Sequence, residues 1–306
     1  MQETFDKYIN YLEAERNASP YTVRNYTTDL LGFFQFLGEK GVGSLNEVDK
    51  HVLRDYLAHV LEQGFVKASI ARKLSAIRSF YRYLVREEIM STNPSATTSS
   101  PKLDRRLPSF LTTDEMGRLI EIPDLSTPKG QRDRALLELL YASGIRVSEL
   151  VHLNLEQVDL GSREIRVRGK GSKERMVLMG QPAAEALSTY LRQGRPMLFG
   201  TKIRMTNAVF INYYGGRLTE RGVQKIVAKY AKKAGLDKRV HPHMLRHTFA
   251  THLLDGGADL RVVQELLGHA SLSSTQIYTH VTQSQARKVY LSAHPMAQEK
   301  NDESER

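Results

Sequence analysis

The chain has 306 residues, a net charge of +10 and a pI near 9.6, and 41% of its residues are hydrophobic. This length allows two domains, and this hydrophobic content is ordinary for a soluble globular protein. No stretch approaches 18 consecutive apolar residues, so we expect no membrane span, and the polar, acidic N-terminus lacks the features of a secretory signal. The absence of cysteine excludes disulfides and thiolate metal sites, and it fits a cytoplasmic location.

The basic charge is concentrated in the second part of the chain. Residues 107–294 carry 27 basic and 17 acidic side chains, whereas residues 1–106 carry 15 and 13. An excess of this size suggests a polyanionic partner such as nucleic acid. Charge alone leaves a basic protein without such a partner equally open.

The first ninety residues predict four amphipathic helices, because apolar residues recur there at helical spacing. The first covers residues 5–16, and the second follows the N-cap signal Ser19-Pro20. The third begins after Asn46 or Asp49, and the fourth covers residues 67–88.

The outer face of the fourth helix is basic and has no balancing acid in its own sequence before Glu87. This pattern fits either a solvated face or a surface that contacts DNA phosphates. The candidate DNA-binding residues on this helix are Arg72, Lys73, Arg78 and Arg82. The same role is open to Lys173 and Arg175 further along the chain.

A domain boundary is expected in residues 91–108, where three prolines frame a Ser/Thr-rich run that is not expected to pack into a core. The predicted division is a helical N-terminal domain (1–92), a linker (93–110), a C-terminal domain (111–294) and a polar, disordered tail (295–306).

The second domain is also predicted to be mainly helical. Thr112 or Thr113 caps its first helix, and an apolar helix ends at Gly144. Residues 163–179 alternate between polar and apolar around a glycine turn, which predicts a β-hairpin with Lys170 at its tip. Further helices are expected in residues 182–193, 219–235, 242–255, 259–267 and 283–293. The fold class is therefore mainly α with a small β-hairpin or sheet.

A set of polar residues in this domain has the chemistry needed for phosphoryl transfer. Two arginines can bind the oxygens of a phosphodiester, a tyrosine can attack the phosphorus, and histidines and a lysine can move protons. The candidate catalytic residues are Arg146, Lys170, His243, Arg246, His269 and Tyr278. Each of these residues taken alone would more often have a structural role.

A metal site is the competing interpretation of the many histidines after residue 240. The chain has no His-Glu-x-x-His motif and no cysteine, and His247 and His252 diverge around the helix because they are five residues apart. We therefore expect no metal. We expect His241, His247, His252 and His280 to be structural or flanking.

Four segments resemble the motifs of the tyrosine recombinases, the phage integrase family. Residues 243–252 resemble the His-x-x-Arg box, and residues 266–269, followed nine residues later by Tyr278, resemble the second box. Residues 142–150 look like the segment of the first catalytic arginine. Residues 169–175 look like the β-hairpin segment of the catalytic lysine.

The resemblance extends over nearly the whole chain. The N-terminal region, with Ser19 to Thr22 opening a helix, looks like the family's helical core-binding domain. The compact length is most similar to the Xer recombinases (XerC and XerD) that resolve chromosome dimers. The implied fold is a core-binding domain and an α+β catalytic domain that close as a C-shaped clamp around DNA.

The resemblance also implies a reaction. Tyr278 attacks the scissile phosphate to give a 3′-phosphotyrosyl link, and Lys170 protonates the leaving 5′-oxygen. Arg146 and Arg246 bind the phosphate. His243 and His269 support proton transfer, and Glu149 orients a neighbouring catalytic side chain.

Strand exchange of this kind proceeds through a Holliday junction and needs no cofactor, neither ATP nor a divalent metal. The implied partners are double-stranded DNA, three further protomers on two duplexes (identical or from a paralogous recombinase) and the DNA translocase FtsK. Residues 283–294 are the segment expected to be exchanged between protomers. The alternatives are an integrase of a phage or mobile element, a non-catalytic DNA-binding protein of this fold, and a metal-dependent nuclease.

Overall fold

The structure is a computed structural model, and it describes residues 1–101, 109–168, 174–199, 206–268 and 283–297. The chain divides into two compact units, Met1–Arg106 and Leu107–Arg306. The described residues are mainly helical with one small antiparallel sheet, which confirms the predicted fold class. None of the helices among them is long and apolar enough to cross a membrane.

The described part of unit 1 contains four long helices around an aromatic core. Ser19 caps the second helix by accepting a hydrogen bond from the Thr22 N–H, and Asp49 caps the third. Tyr8 and Phe80 meet edge to face at 5.2 Å between ring centroids. The helices are α1 (Gln2–Ala14), α2 (Pro20–Glu39), α3 (Lys50–Glu62) and α4 (Lys67–Arg86).

The Ser/Thr-rich run after α4 is partly packed, so the expectation that it would stay outside any core is wrong for its first part. Ser95 and Thr98 are buried. The guanidinium of Arg78 donates hydrogen bonds to their two carbonyl oxygens and to the Ser100 hydroxyl (2.9 Å). Hydroxyl-rich residues can pack when an arginine satisfies their backbone acceptors.

Unit 2 is built around the almost completely buried helix α6 (Pro128–Ser143). Its buried charged residues lie beside their partners, Arg132 with Asp133 and Glu138 with Arg134, which offsets the cost of a central position. Thr112 opens the preceding helix with a capping box to Glu115. The helices up to α9 are α5 (Thr113–Glu121), α7 (Val147–His152), α8 (Gln181–Thr189) and, after a π-helical turn (Tyr190–Gly194), α9 (Arg195–Phe199). The later helices are α10 (Glu220–Lys233), α11 (Pro242–Asp255), α12 (Leu260–Leu267) and α13 (Gln283–Ala293).

The predicted hairpin is present and gains a short third strand. The sheet order is β1-β2-β3, and all its pairs are antiparallel. In the hairpin, Ile165 pairs with Val177 and Val167 pairs with Arg175, so these four residues share one face of the sheet. The strands are β1 (Val158–Asp159), β2 (Glu164–Arg168) and β3 (Glu174–Leu178).

A fully buried histidine follows α13. His294 packs against the rings of Tyr141, Phe249 and Tyr290. Its Nδ1 accepts a hydrogen bond from the Met296 N–H at 3.2 Å, which requires an unprotonated nitrogen. Burial lowers the pKa of His294 from 6.5 to about 3.

This burial makes stability depend on pH. The unfolded chain binds a proton at His294 near pH 6.5, whereas the folded chain does not until about pH 3, so stability is lost as pH falls through that window. We expect this one group to remove about 2 kcal/mol of unfolding free energy at pH 5. Urea titrations at pH 7.5 and pH 5 give the loss of unfolding free energy between the two pH values. In His294→Phe this loss should be smaller than in the wild type by about that amount. The exposed His51→Phe is the control, and an unchanged loss in His294→Phe would contradict the prediction.

Candidate active site

The turn after α6 places Arg146. Gly144 has a left-handed backbone (φ 56°), and a Cβ there would lie 2.4 Å from the Phe249 ring, so both the conformation and the close packing require glycine. Arg146 then adopts an extended conformation as the N-cap of α7. Its backbone N–H donates to Glu149 Oε2 at 2.9 Å.

The Arg146 side chain is held at two points. Nη1 donates to Glu149 Oε1 and Nη2 donates to the Gly268 carbonyl, both at 3.0 Å. The side chain is still 34% exposed. A guanidinium has five N–H donors, so part of the group is directed to solvent while its plane is fixed.

Arg246 is held beside it from the interior. This residue is only 9% exposed, and its two terminal nitrogens donate to the carbonyls of Gly144 and Leu267. Burial, and then repulsion from Arg146, lower the pKa of Arg246 to about 10, so it stays protonated at neutral pH. The two arginines thus bind the consecutive carbonyls of Leu267 and Gly268 at the end of α12.

Glu149 is the carboxylate of this cluster. Burial alone would raise its pKa, but hydrogen bonds from Arg175 and Arg146 outweigh burial and hold the pKa below its usual value. Three guanidiniums and one carboxylate leave two net positive charges close to the surface. A phosphate diester is the complementary ligand, because arginine pairs bind phosphate oxygens with geometric specificity.

His243 lies one helical turn before Arg246 and is exposed. Its helix is capped by His241, whose Nδ1 accepts from the Met244 N–H at 3.2 Å. His252 bonds the Tyr141 hydroxyl at 2.8 Å on the buried side of the same helix. The expectation that His241 and His252 are structural is confirmed. No three His, Asp or Glu side chains meet as a possible metal site in the parts of the chain that the structure describes.

The remaining candidates lie outside the described residues. These are Lys170, Lys173, His269, Tyr278 and the flanking His280. In sequence, Lys170 falls between the paired strands β2 and β3, and His269 directly follows Gly268, whose carbonyl binds Arg146.

The basic face of α4 is partly internal. The carboxylate of Asp29 on α2 is completely buried and pairs with both Arg72 and Lys73, and Lys73 is only 8% exposed. The prediction that Lys73 lies on the outer face is wrong. Its ammonium is buried beside Asp29, an acid that comes from another helix and is absent from the sequence of α4. Arg82 is exposed, as predicted.

Arg175 was placed by sequence among the DNA-contacting residues, but the structure ties it to Glu149. Its terminal nitrogens donate to the two carboxylate oxygens at 2.6 and 2.9 Å. The strand pattern contains a signal for this position. Arg175 lies two residues before the buried Val177 and therefore on the same, inward face of β3, where a charged side chain needs a buried partner.

Two protein-family models match the chain. The model of the phage integrase family matches residues 109–285, and the model of the phage integrase N-terminal SAM-like domain matches residues 5–88.

Similar proteins include recombinases from several bacteria. Tyrosine recombinase XerC of Pelotomaculum thermopropionicum is 50% identical over 299 residues, which are 95% of this chain and 98% of that protein. Tyrosine recombinase XerC of Bacillus subtilis is 45% identical over 96% of this chain and 97% of that protein. Tyrosine recombinase XerD of Staphylococcus epidermidis is 41% identical over 97% and 100%.

Two solved structures are also similar to this chain. XerH site-specific recombinase bound to palindromic difH substrate has a TM-score of 0.68 and 27% identity, with 90% of this chain and 77% of that chain covered. A lambda integrase (75–356) dimer bound to a COC′ core site has a TM-score of 0.66 and 20% identity, with 92% and 99% covered. The lambda integrase comparison supports the fold alone.

Proposed function

This chain belongs to the tyrosine recombinases of the phage integrase family, and we propose that it exchanges DNA strands through a covalent link to Tyr278. It is a site-specific DNA recombinase. The observation that carries the proposed chemistry is the pair of guanidiniums, Arg146 and Arg246, fixed side by side on the carbonyls of Leu267 and Gly268.

The proposed reaction has two transesterifications. The Tyr278 hydroxyl attacks phosphorus, the bond from phosphorus to the 5′-oxygen breaks, and Lys170 gives that oxygen a proton. His243 and His269 assist removal of the tyrosine proton and stabilise the transition state. A 5′-hydroxyl from the partner duplex then attacks the phosphotyrosine and releases Tyr278. The number of phosphoester bonds is unchanged throughout, so ATP is not required.

The arginines stabilise charge as it develops. In the pentacoordinate transition state, negative charge grows on the two non-bridging oxygens, and donors fixed beforehand stabilise it without reorganising. Arg146 keeps N–H groups directed outward, whereas Arg246 supplies charge from the buried side. Because these cations already neutralise the phosphate, we propose that the reaction needs no divalent metal.

We propose the domain division as N-terminal DNA-binding (1–92) and catalytic (111–294). Among the basic candidates, Arg72, Arg82 and Lys173 are retained for DNA contact. Arg72 keeps 41% of its side chain exposed despite its pairing with Asp29, and Arg82 is exposed.

The similarity to XerC and XerD supports a role in resolving chromosome dimers at cell division, in the cytoplasm where the chromosome lies. We propose four protomers on two duplexes, either identical or shared with a paralogous recombinase, and stimulation by the translocase FtsK. Loss of this gene should then give unresolved dimers that wild-type expression corrects. An integrase of a mobile element would instead fail to complement and would recombine an element end.

A nicked suicide duplex tests the chemistry. It carries the sequence that the protein selects from a random-duplex library, with the nick placed so that the cleaved fragment diffuses away. In EDTA, we expect wild-type protein to accumulate a covalent adduct at the 3′-phosphate. An adduct that requires added Mg²⁺, or no adduct on the selected sequence, would overturn the proposal.

Arg246→Lys should retain the positive charge yet lose most of the cleavage. An ammonium cannot bind two backbone carbonyls in one plane and still direct fixed donors at the phosphate. We expect the single-turnover cleavage rate to fall about 10²-fold, with duplex binding close to wild type. The exposed Arg221→Lys is the matched control, with a cleavage rate near wild type once the DNA is saturating. A cleavage rate near wild type in Arg246→Lys would contradict the assignment of Arg246.

A further inference from the structure

We propose that Arg175 is a positioning residue that neutralises Glu149, so that Arg146 and Arg246 keep their full charge for the phosphate. This proposal rests on the proposed function. It replaces the sequence-based expectation that Arg175 contacts DNA.

The contact between Arg175 and Glu149 has the geometry of a fixed ion pair. Both terminal nitrogens donate to the two carboxylate oxygens, at 2.6 and 2.9 Å. The Arg175 side chain is 17% exposed and that of Glu149 is 4% exposed. Little water screens such a pair, so its charges act strongly on their neighbours.

Gly268 closes the other side of Arg175. A Cβ on Gly268 would lie 2.8 Å from Cδ and 2.9 Å from Nε of Arg175, so the arginine side chain lies directly against the glycine backbone. The carbonyl of this same glycine binds Arg146 at 3.0 Å. Arg175 therefore supports both anchors of the Arg146 guanidinium, the Glu149 carboxylate and the Gly268 carbonyl.

The charge balance of the cluster depends on Arg175. Glu149 accepts from Arg146 as well as from Arg175, and its charge would be directed wholly at Arg146 if Arg175 were neutral. The cluster would then hold one net positive charge instead of two. A doubly negative transition state would lose attraction, and Arg146 would be drawn toward the carboxylate.

Direct contact of Arg175 with a phosphate fits the structure less well. Both of its terminal nitrogens are occupied by Glu149, and Nε is buried without a hydrogen-bond partner among the described residues. To reach DNA, the side chain would have to leave a buried carboxylate uncompensated, which is costly.

A double-mutant cycle in cleavage rate on the nicked duplex tests the charge argument. We expect Arg175→Gln to slow cleavage about tenfold or more, which is less than the loss of a donor that touches the phosphate. Adding Glu149→Gln removes the uncompensated carboxylate, so the double variant should cleave faster than Arg175→Gln. A packing role predicts that the double variant is at least as slow as Arg175→Gln.

A neutral substrate provides the second readout. When a methylphosphonate replaces the scissile phosphate, the transition state carries one negative charge less, so the defect of Arg175→Gln should shrink. A defect of the same size on both substrates would overturn the proposal. Arg166→Gln, on the exposed face of β2, removes one positive charge and is the matched control. Adding Glu149→Gln to this variant should not raise its cleavage rate.

The outcomes separate this proposal from the proposed function. No adduct from wild-type protein contradicts the function itself. Normal cleavage by both wild type and Arg175→Gln contradicts only the role of Arg175. If Arg175→Gln does not fold, as judged by its thermal transition, Arg175→Lys is used in its place. It keeps the positive charge beside Glu149, so it should cleave within a few-fold of the wild-type rate. A loss of about tenfold or more in Arg175→Lys would overturn the proposal.

Discussion

Replacing Tyr278 by phenylalanine is expected to abolish the covalent protein–DNA adduct completely. Phenylalanine keeps the ring and removes only the hydroxyl oxygen that attacks phosphorus, so binding of the duplex should persist. The guanidinium cluster around Glu149 stays intact in this variant and still binds the phosphate. The expected result is a normal binding isotherm with no adduct on the nicked duplex after denaturing electrophoresis.

Tyr213→Phe is the matched control. Tyr213 is 64% exposed, and its ring lies under the ammonium of Lys129, which the loss of the hydroxyl leaves in place. This variant should form the adduct at the wild-type rate. An adduct from Tyr278→Phe, mapped by peptide analysis to another residue, would show that the nucleophile has been assigned to the wrong tyrosine.

Local signals explain which parts of the fold could be predicted from sequence. The caps at Ser19 and Thr112 and the left-handed turn at Gly144 depend on residues within a few positions of each other. The alternation of polar and apolar residues within 163–179 was also sufficient to predict the hairpin. Such features follow from backbone sterics and hydrogen bonding within one segment, so composition and spacing carry most of the information.

Counter-ions were harder to predict because they come from distant segments. Asp29 and Arg72 are 43 residues apart, and Glu149 and Arg175 are 26 apart. Without the fold, Lys73 and Arg175 appear as free surface charges, and only packing shows that each has a buried carboxylate beside it. The buried His294 is a similar case, since its ring partners Tyr141 and Phe249 come from distant segments of the chain.

The candidate site was predicted largely through the resemblance to a family rather than through physical reasoning. The spacing predicted that His243 and Arg246 share one helix. It did not predict that Arg146 and Arg246 bind the consecutive carbonyls of Gly268 and Leu267. The arrangement arises because α6 ends at Gly144, whose carbonyl binds Arg246 while its turn presents Arg146. The site is therefore a property of the junction between α6, α11 and α12.

Lys170→Ala should slow cleavage by about 10² to 10⁴, the range expected for loss of a general acid. The 5′-oxygen leaves as an alkoxide unless a proton reaches it. With sulfur in place of that bridging oxygen, the leaving group is a thiolate of much lower basicity, which departs without a proton. The defect of Lys170→Ala should therefore nearly disappear on the 5′-bridging phosphorothiolate duplex.

The comparison of the two substrates separates acid catalysis from other effects of the hairpin. Lys173→Ala removes the same charge three residues away, and any weakening of DNA binding should affect the oxygen and sulfur substrates equally. Arg246→Lys should likewise stay slow on both, because its role is to stabilise charge on the non-bridging oxygens. If Lys170→Ala were equally slow on both substrates, the proton would have to come from another group, and His243 would be the next residue to substitute.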